Sequence, residues 1–379
     1  VKSQRARVPL GVIGLVLVGL AGAALAAGDA GDAGDAGDAG AVDGGTQPDA
    51  GAVVKAASED PNILPTQVRA TIGFHVIALR DIDLRAGTFY ADFYYWKLSK
   101  KVGDEDKDKL VDTVEFMNGQ VTGNDKPIEA KDIGADLHYA CWRAFGTFHF
   151  SPDLHYYPFD RQALEIQVEN PDLERAYLVY ADDTDSYKRS AGAAYRWGLK
   201  RDVEVYQYDI RRVEREETVS TYQTDFGDPK SKKASSDYSR FTLRVVIARQ
   251  FAPYFFKIML PLLVILGVAY LVFWLPPREI GTASSLAITA LLSCIAFEIS
   301  VAQSLPDVGY LITSDKFFIM TYMLIFVALV QSLWTYRMAE QGRVEAATKW
   351  DVRGRALFPV MYLLCLGYLF LDALVLQGR

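Results

Sequence analysis

The chain has 379 residues, a formal net charge of −7 and 50% hydrophobic residues, a length that accommodates about two domains. The acidic balance and the lack of any Lys/Arg-rich run argue against a nucleic-acid partner. The three cysteines, Cys141, Cys294 and Cys365, make neither a CxxC pair nor a disulfide framework, so packing is their expected role.

Charged and turn-forming residues crowd the first 250 positions and long apolar runs fill the remainder, which divides the chain into a soluble part and a membrane part. Lys2, Arg5 and Arg7 precede an apolar, small-residue run that closes on Ala26-Ala27. A basic start, an apolar middle and a small-residue exit predict a signal peptide over 1–27. An uncleaved anchor is the alternative, and both place the next domain outside the cytoplasm. Residues 28–60, opening with GDAGDAGDAGDAG, predict a disordered acidic linker. A calcium repeat is the competing reading, but the period of three and the missing apolar positions depart from a β-roll.

Over 61–250 the hydrophobic period is two. Ile72, Phe74, Val76 and Ala78 alternate with Gly73, His75 and Ile77; Leu164, Ile166 and Val168 with Glu165 and Gln167; Phe241, Leu243, Val245 and Ile247 with Thr242 and Arg244. Strands that hide one face and wet the other, separated by Asn/Gly/Asp turns, predict an all-β, immunoglobulin-like antiparallel sandwich.

Residues 251–379 predict an α-helical four-helix transmembrane bundle, with helices over 251–275, 279–303, 314–338 and 355–376. Pro261 should cost the first helix a hydrogen bond and bend it. Arg337, Arg343, Lys349, Arg353 and Arg355 fall between the third and fourth segments, so that loop is expected in the cytoplasm. Topology and leader then agree on a multi-pass protein of a bacterial inner membrane with its N-terminal domain in the periplasm or outside. In the second helix, Ser285, Thr289, Leu292, Ala296, Ile299 and Gln303 recur at helical spacing on one narrow stripe that is mostly small or polar. A stripe of that kind suits the wall of a water-filled pore. It also suits close packing inside a bundle, where small residues let helices approach.

The run FHFSPDLHYYPFDRQALEI (148–166), with Tyr157-Pro158-Phe159-Asp160 at its centre and Gln162 after it, resembles the signature loop of the pentameric ligand-gated ion channels. TFYADFYYW (88–96) is similar to that family's second strand, and Arg249-Gln250-Phe251 with Pro261 is similar to the entry of its first membrane helix. SLAITALLSCIAF (285–297) resembles its pore helix and Phe358-Pro359-Val360 the start of its last helix. In animal receptors a disulfide closes the loop; here Phe150 and Leu164 stand at its ends, so the resemblance is to the prokaryotic type.

The resemblance implies a homopentamer in a lipid bilayer, passing inorganic ions when a ligand binds the outer domain. The ligand is left open among a small molecule, a proton and a divalent cation; no cofactor, resident metal or enzymatic step is implied. Leu292 is expected to be the gate, with Ile299 as a second ring, because large aliphatic side chains in a narrow pore expel water. By resemblance, Asp81, Asp83, Asp160 and Arg249 would form an ion-pair cluster that couples the domains, and Pro306 would mark the turn that receives its movement. Ligand contacts implied between subunits are Tyr94, Trp96, Tyr139, Trp142, Tyr180, Tyr187, Tyr222, Phe226 and Tyr238, aromatic faces suited to an ammonium group but also common on half-buried strands.

Gly281-Thr282-Ala283 departs from both the cation and the anion pattern before the pore helix. Glu279 and Glu298 favour cations. Acidic turns at 104–108 and 182–185 invite a divalent-cation reading or are solvated loops. A non-conducting periplasmic receptor on a membrane bundle is the alternative function, although the short inner loops offer it no signalling domain.

Overall fold

A computed structural model describes residues 67–103, 105–189, 196–224 and 235–377, with backbone alone at 370 and 372–377. The expected leader and linker, Asp104 and Phe226 lie outside the described residues. The strands are β1 (Val68–Asp83), β2 (Thr88–Lys100), β3 (Glu115–Phe116), β4 (Gly119–Thr122), β5 (Glu129–Ile133), β6 (Leu137–His149), β7 (Arg161–Glu169), β8 (Leu178–Asp182), β9 (Tyr208–Tyr222) and β10 (Ser236–Arg249). Two short helices accompany them, α1 (Glu105–Asp112) and α2 (Thr184–Arg189).

These strands make the expected sandwich. One sheet runs β4-β6-β2-β1-β8 with β5 also on β6; the other runs β3-β7-β10-β9. Pairing is antiparallel except at one edge, where β8 lies parallel to β1 with Val68 opposite Leu178. The inward faces supply a continuous aromatic core. Phe74 of β1 stacks on Phe241 of β10 across the sheets, ring centres 5.9 Å apart, and Tyr95 stacks on Trp142 at 5.0 Å. Full burial of each such ring contributes about 1.5–3 kcal/mol.

The alternation expected in β1 fails after Val76. A bulge shifts the register between Val76 and Ala78, so that Leu79, and not Ala78, points into the core. An extra residue on one strand turns every later side chain to the opposite face.

Among the described residues, four helices are long and apolar enough to cross a membrane: α3 (Phe251–Trp274), α4 (Ile280–Ala302), α5 (Thr313–Glu340) and α6, helical over Val344–Gln377 with its candidate span over Val344–Leu369. In α3 the chain widens into a π-turn at Phe255–Met259, just ahead of Pro261, which has no N–H for the carbonyl one turn back. The expected basic loop between the last two helices shrinks to residues 341–343, with Gly342 at φ 76°. Lys349, Arg353 and Arg355 lie on α6 itself, and Pro359 lies inside the helix instead of at its start. The charged residues of α6 that read as loop are good helix formers, and no glycine or proline falls in 344–353.

Candidate pore and coupling site

Two faces of α4 do different work. Ala283, Ala287, Ala290 and Cys294 are buried at helical spacing, and their small size lets α4 pack closely against α3 and α5. Opposite them Ser285, Thr289, Leu292, Ala296, Ile299 and Gln303 are all exposed on the single chain, Leu292 at 61% and Ile299 at 54%. Ile288 and Ile295 flank the stripe and are also uncovered. Glu298 does not join the stripe: its carboxylate accepts a hydrogen bond from the Tyr322 hydroxyl of α5, which turns it toward the bundle.

Above α4 and α5 the loop between β6 and β7 seats on the membrane domain. The first N–H groups of a helix have no partner within it, and here the loop supplies two. Thr313 donates through N and Oγ1 to the His155 carbonyl at 3.1 and 3.0 Å, and Ser314 N donates to the Tyr157 carbonyl at 3.1 Å. The His155 ring lies flat on Tyr310 with centroids 3.8 Å apart, and Leu154 N donates to the Tyr310 hydroxyl at 3.2 Å. Leu154 and Tyr157 are buried in the apolar cluster of the membrane domain.

At the base of this loop Asp160 meets Arg249, the last residue of β10. Gln162 Nε2 donates to Asp160 Oδ2 at 2.6 Å. The guanidinium also donates to the Tyr254 hydroxyl, which in turn donates to Gln207 Oε1 at 3.1 Å. Tyr157, Tyr208 and Tyr254 surround the Arg249 guanidinium, which lies 5.0, 4.8 and 4.6 Å from their ring centres. Burial alone would lower the Arg249 pKa; hydrogen bonds to Asp160 and its charge outweigh that and hold it above the usual value.

Asp81 and Asp83 stand apart from this pair. Asp81 occupies a left-handed position in a second irregularity of β1, exposed and 3.7 Å from Arg80. Asp83 Oδ1 accepts from Arg85 N and Ala86 N at 2.8 and 2.9 Å, shaping the β1–β2 turn. That turn reaches the end of α4 through Arg85, whose Nη1 donates to the Gln303 carbonyl at 3.3 Å. Pro306 comes next in the α4–α5 connection, half-buried beside buried Leu305. Sequence reasoning missed Arg85, Tyr254, Tyr310 and Gln207. Nearness in the chain to Asp83, Arg249 and Pro306 hinted at the first three, and nothing in the sequence pointed to Gln207.

The candidate ligand residues separate into distinct places. Trp142 and Tyr180 are core residues of the sandwich. Tyr94 lies under Arg143, and Tyr139 under Lys131. Tyr222 packs edge-on against Tyr238 and donates to Glu169 at 3.1 Å. Trp96 and Tyr187 do come together, with ring centres 5.8 Å apart, and Tyr187 stacks on Trp197 at 6.4 Å. Gly73 makes room for Trp96, since a Cβ there would lie 2.3 Å from the indole. The cation over these rings is the protein's own: Arg215 sits 4.5 Å from the Tyr187 centroid and 5.8 Å from that of Trp197, with Nε on Asp182 at 2.9 Å.

Among the described residues, no three His, Cys, Asp or Glu converge as metal ligands. Asp108 holds Val102 N at 2.7 Å, Glu105 and Asp106 pair with Lys109, and Asp183 accepts from Trp96 Nε1 at 2.7 Å.

A β-sandwich docked by the β6–β7 loop and the β1–β2 turn onto four membrane helices, one of them carrying an uncovered polar stripe, is the build of a membrane ion-channel subunit. Residues 258–359 match the neurotransmitter-gated ion-channel transmembrane region. The proton-gated ion channel of Gloeobacter violaceus is 24% identical over 331 residues, covering 83% of this chain and 86% of that relative. A gamma-aminobutyric acid receptor subunit beta-like protein of Drosophila melanogaster is 26% identical over 179 residues, 47% of this chain and 32% of its own length. A gamma-aminobutyric acid receptor subunit beta of Caenorhabditis elegans is 23% identical over 56% of this chain and 36% of its own. These matches support a pentameric ligand-gated ion channel of the Cys-loop receptor superfamily.

Proposed function

We propose that five copies of the chain surround an axis lined by α4, with Leu292 as the constriction that opens when the outer sandwich changes state. The uncovered stripe on α4 carries this reading. One helix cannot enclose water, and a cyclic assembly brings identical stripes to a common centre. Ser285 and Thr289 offer hydroxyls to a partly dehydrated ion, and rings of Leu292 and Ile299 exclude water when narrow. Opening is passed on through the Asp160–Arg249 pair and the loop seated on α5, with Arg85 and Pro306 at the end of α4. The permeant ions are cations, favoured by exposed Glu279 at one mouth and Asp307 at the other; Glu298, bonded to Tyr322, adds nothing to the lumen. The protein resides in a bacterial inner membrane with the sandwich outside.

As for the opening ligand, Arg215 over the rings of Tyr187 and Trp197 disfavours an ammonium compound there. A proton, a divalent cation or a small molecule held elsewhere fits better; the Gloeobacter relative is itself proton-gated.

Purified protein in planar bilayers tests the proposal, wild type beside Leu292→Ala. Shortening the constriction should make it wettable and raise the basal current. Silent bilayers across pH and divalent-cation conditions would instead favour a non-conducting receptor, and unchanged gating in the variant would remove Leu292 from the constriction.

A further inference from the structure

Two carbonyls of the membrane helices lose their helical donors to proline. In α6, Pro359 has no N–H for the Arg355 carbonyl one turn back. In α3, the residues three and four places after Phe273 are Pro276 and Pro277, so neither a 3₁₀ nor an α-helical bond can take the Phe273 carbonyl. A backbone carbonyl left alone at membrane depth is costly.

Each of these carbonyls is taken by the other helix. The Tyr270 hydroxyl of α3 donates to the Arg355 carbonyl at 3.1 Å, and Arg355 Nε donates to the Phe273 carbonyl at 3.0 Å. The Arg355 guanidinium lies 4.4 Å from the ring centre of Trp274, and Phe358 packs on Tyr270 and Phe273 with ring centres 5.8 and 5.4 Å away. Gly354 permits the close approach, since a Cβ there would stand 2.8 Å from the Phe273 ring and 2.4 Å from Gln331 Nε2 of α5. These contacts hold the part of α6 before Pro359 in one register. Sliding it by a turn would face Tyr270 with a carbonyl already bonded within the helix.

That register carries Asp351, one turn before Arg355, to the start of α4. Asp351 is 5% exposed and lines a cavity of about 10 Å³, room for one water, together with Ser332 and Thr335 of α5 and with Glu279, Ile280 and Ala283 where α4 begins. The Glu279 side chain caps nothing there. The first N–H groups of a helix are unpaired and carry the positive end of its dipole, so a carboxylate fixed beside them is attracted.

We propose that Tyr270 and Arg355 are positioning residues and that Asp351 is the group they position: the two reciprocal bonds latch α6 to α3 so that the Asp351 carboxylate steadies the start of α4, the end farther from the sandwich. This goes beyond the channel reading, and rests on it only in treating α4 as the helix whose placement matters for conduction. The latch depends on both prolines. Without Pro359 the Arg355 carbonyl would be bonded inside α6, and Tyr270 would have nothing to hold.

Two measurements without any current separate positioning from mere stability: thermal unfolding of the solubilised protein, and hydrogen exchange in lipid nanodiscs read over residues 283–286 of α4. Tyr270→Phe keeps the ring and removes the donor. Its unfolding midpoint should fall, and exchange over 283–286 should quicken roughly tenfold, the loss of one buried hydrogen bond. Adding Pro359→Ala gives the Arg355 carbonyl a donor within α6 but no tie to α3, so the midpoint should recover while exchange stays fast. Asp351→Asn should quicken exchange over 283–286 and leave 353–358 as in wild type. Unchanged protection in β10 confirms that each variant is folded, and if the Pro359 variant does not fold, Asp351→Asn decides. A midpoint still low in the double variant, exchange that recovers along with the midpoint, or wild-type exchange in Asp351→Asn would each overturn the proposal. Silent bilayers with the exchange pattern intact would count against the channel alone.

Discussion

Arg249 Nε donates to Asp160 Oδ1 at 2.6 Å and Nη2 to Oδ2 at 3.1 Å, a two-point pair whose side chains are 2% and 1% exposed. It joins the last strand of the sandwich, two residues before α3 begins, to the loop that rests on α5. Charges this buried hold strongly only while their geometry is kept.

Removing one partner should therefore be costly. Arg249→Ala leaves the Asp160 carboxylate buried without its cation, an expected loss of about 3–5 kcal/mol, and Asp160→Asn, which leaves the Arg249 guanidinium buried without its counter-charge, should cost a comparable amount. Thermal unfolding of solubilised protein measures both. The double variant should recover part of the loss; strictly additive losses would mean that the pair does not act as a unit.

The self-occupied cage makes a separate prediction. Arg215→Ala should free the faces of Tyr187 and Trp197, so that tetramethylammonium perturbs tryptophan fluorescence in the variant at concentrations without effect on wild type. Equal responses in the two proteins would show that Arg215 does not fill the cage.

Lys97 predicts a pH dependence with a definite sign. Its folded-state pKa is about 7, below the ~10.4 of an unfolded chain, so between those values the unfolded state binds more protons and stability rises with pH. The penalty for the buried ammonium is complete below about 7 and gone above about 10. The unfolding midpoint of wild type minus that of Lys97→Met should become more positive from pH 6.5 to 9.5. A constant difference would mean that Lys97 keeps its charge in the fold.

Period reading recovered the sandwich because Leu164, Ile166 and Val168 obey strict alternation, and it found the α4 stripe because exposed Ser285, Thr289 and Leu292 oppose buried Ala283, Ala287 and Ala290. It lost β1 after Val76 because a bulge is one residue of slippage that leaves no mark in composition. It started α6 too late because Lys349, Arg353 and Arg355 suit a helix as well as a loop. Asp83 was grouped with Asp160 by resemblance, yet its oxygen is taken by its own turn. Nor could spacing reveal that Arg215, 28 residues from Tyr187, covers that ring, because the contact exists only once β9 folds alongside β8 and α2.

The central claim is that water reaches one face of α4. With native Cys141, Cys294 and Cys365 replaced, single cysteines at Ser285, Thr289 and Leu292 should react with a charged, water-soluble thiol reagent and block current, while cysteines at Ala287 and Ala290 should not. If the three stripe positions stayed unmodified in open and closed channels alike, α4 would not line the pore.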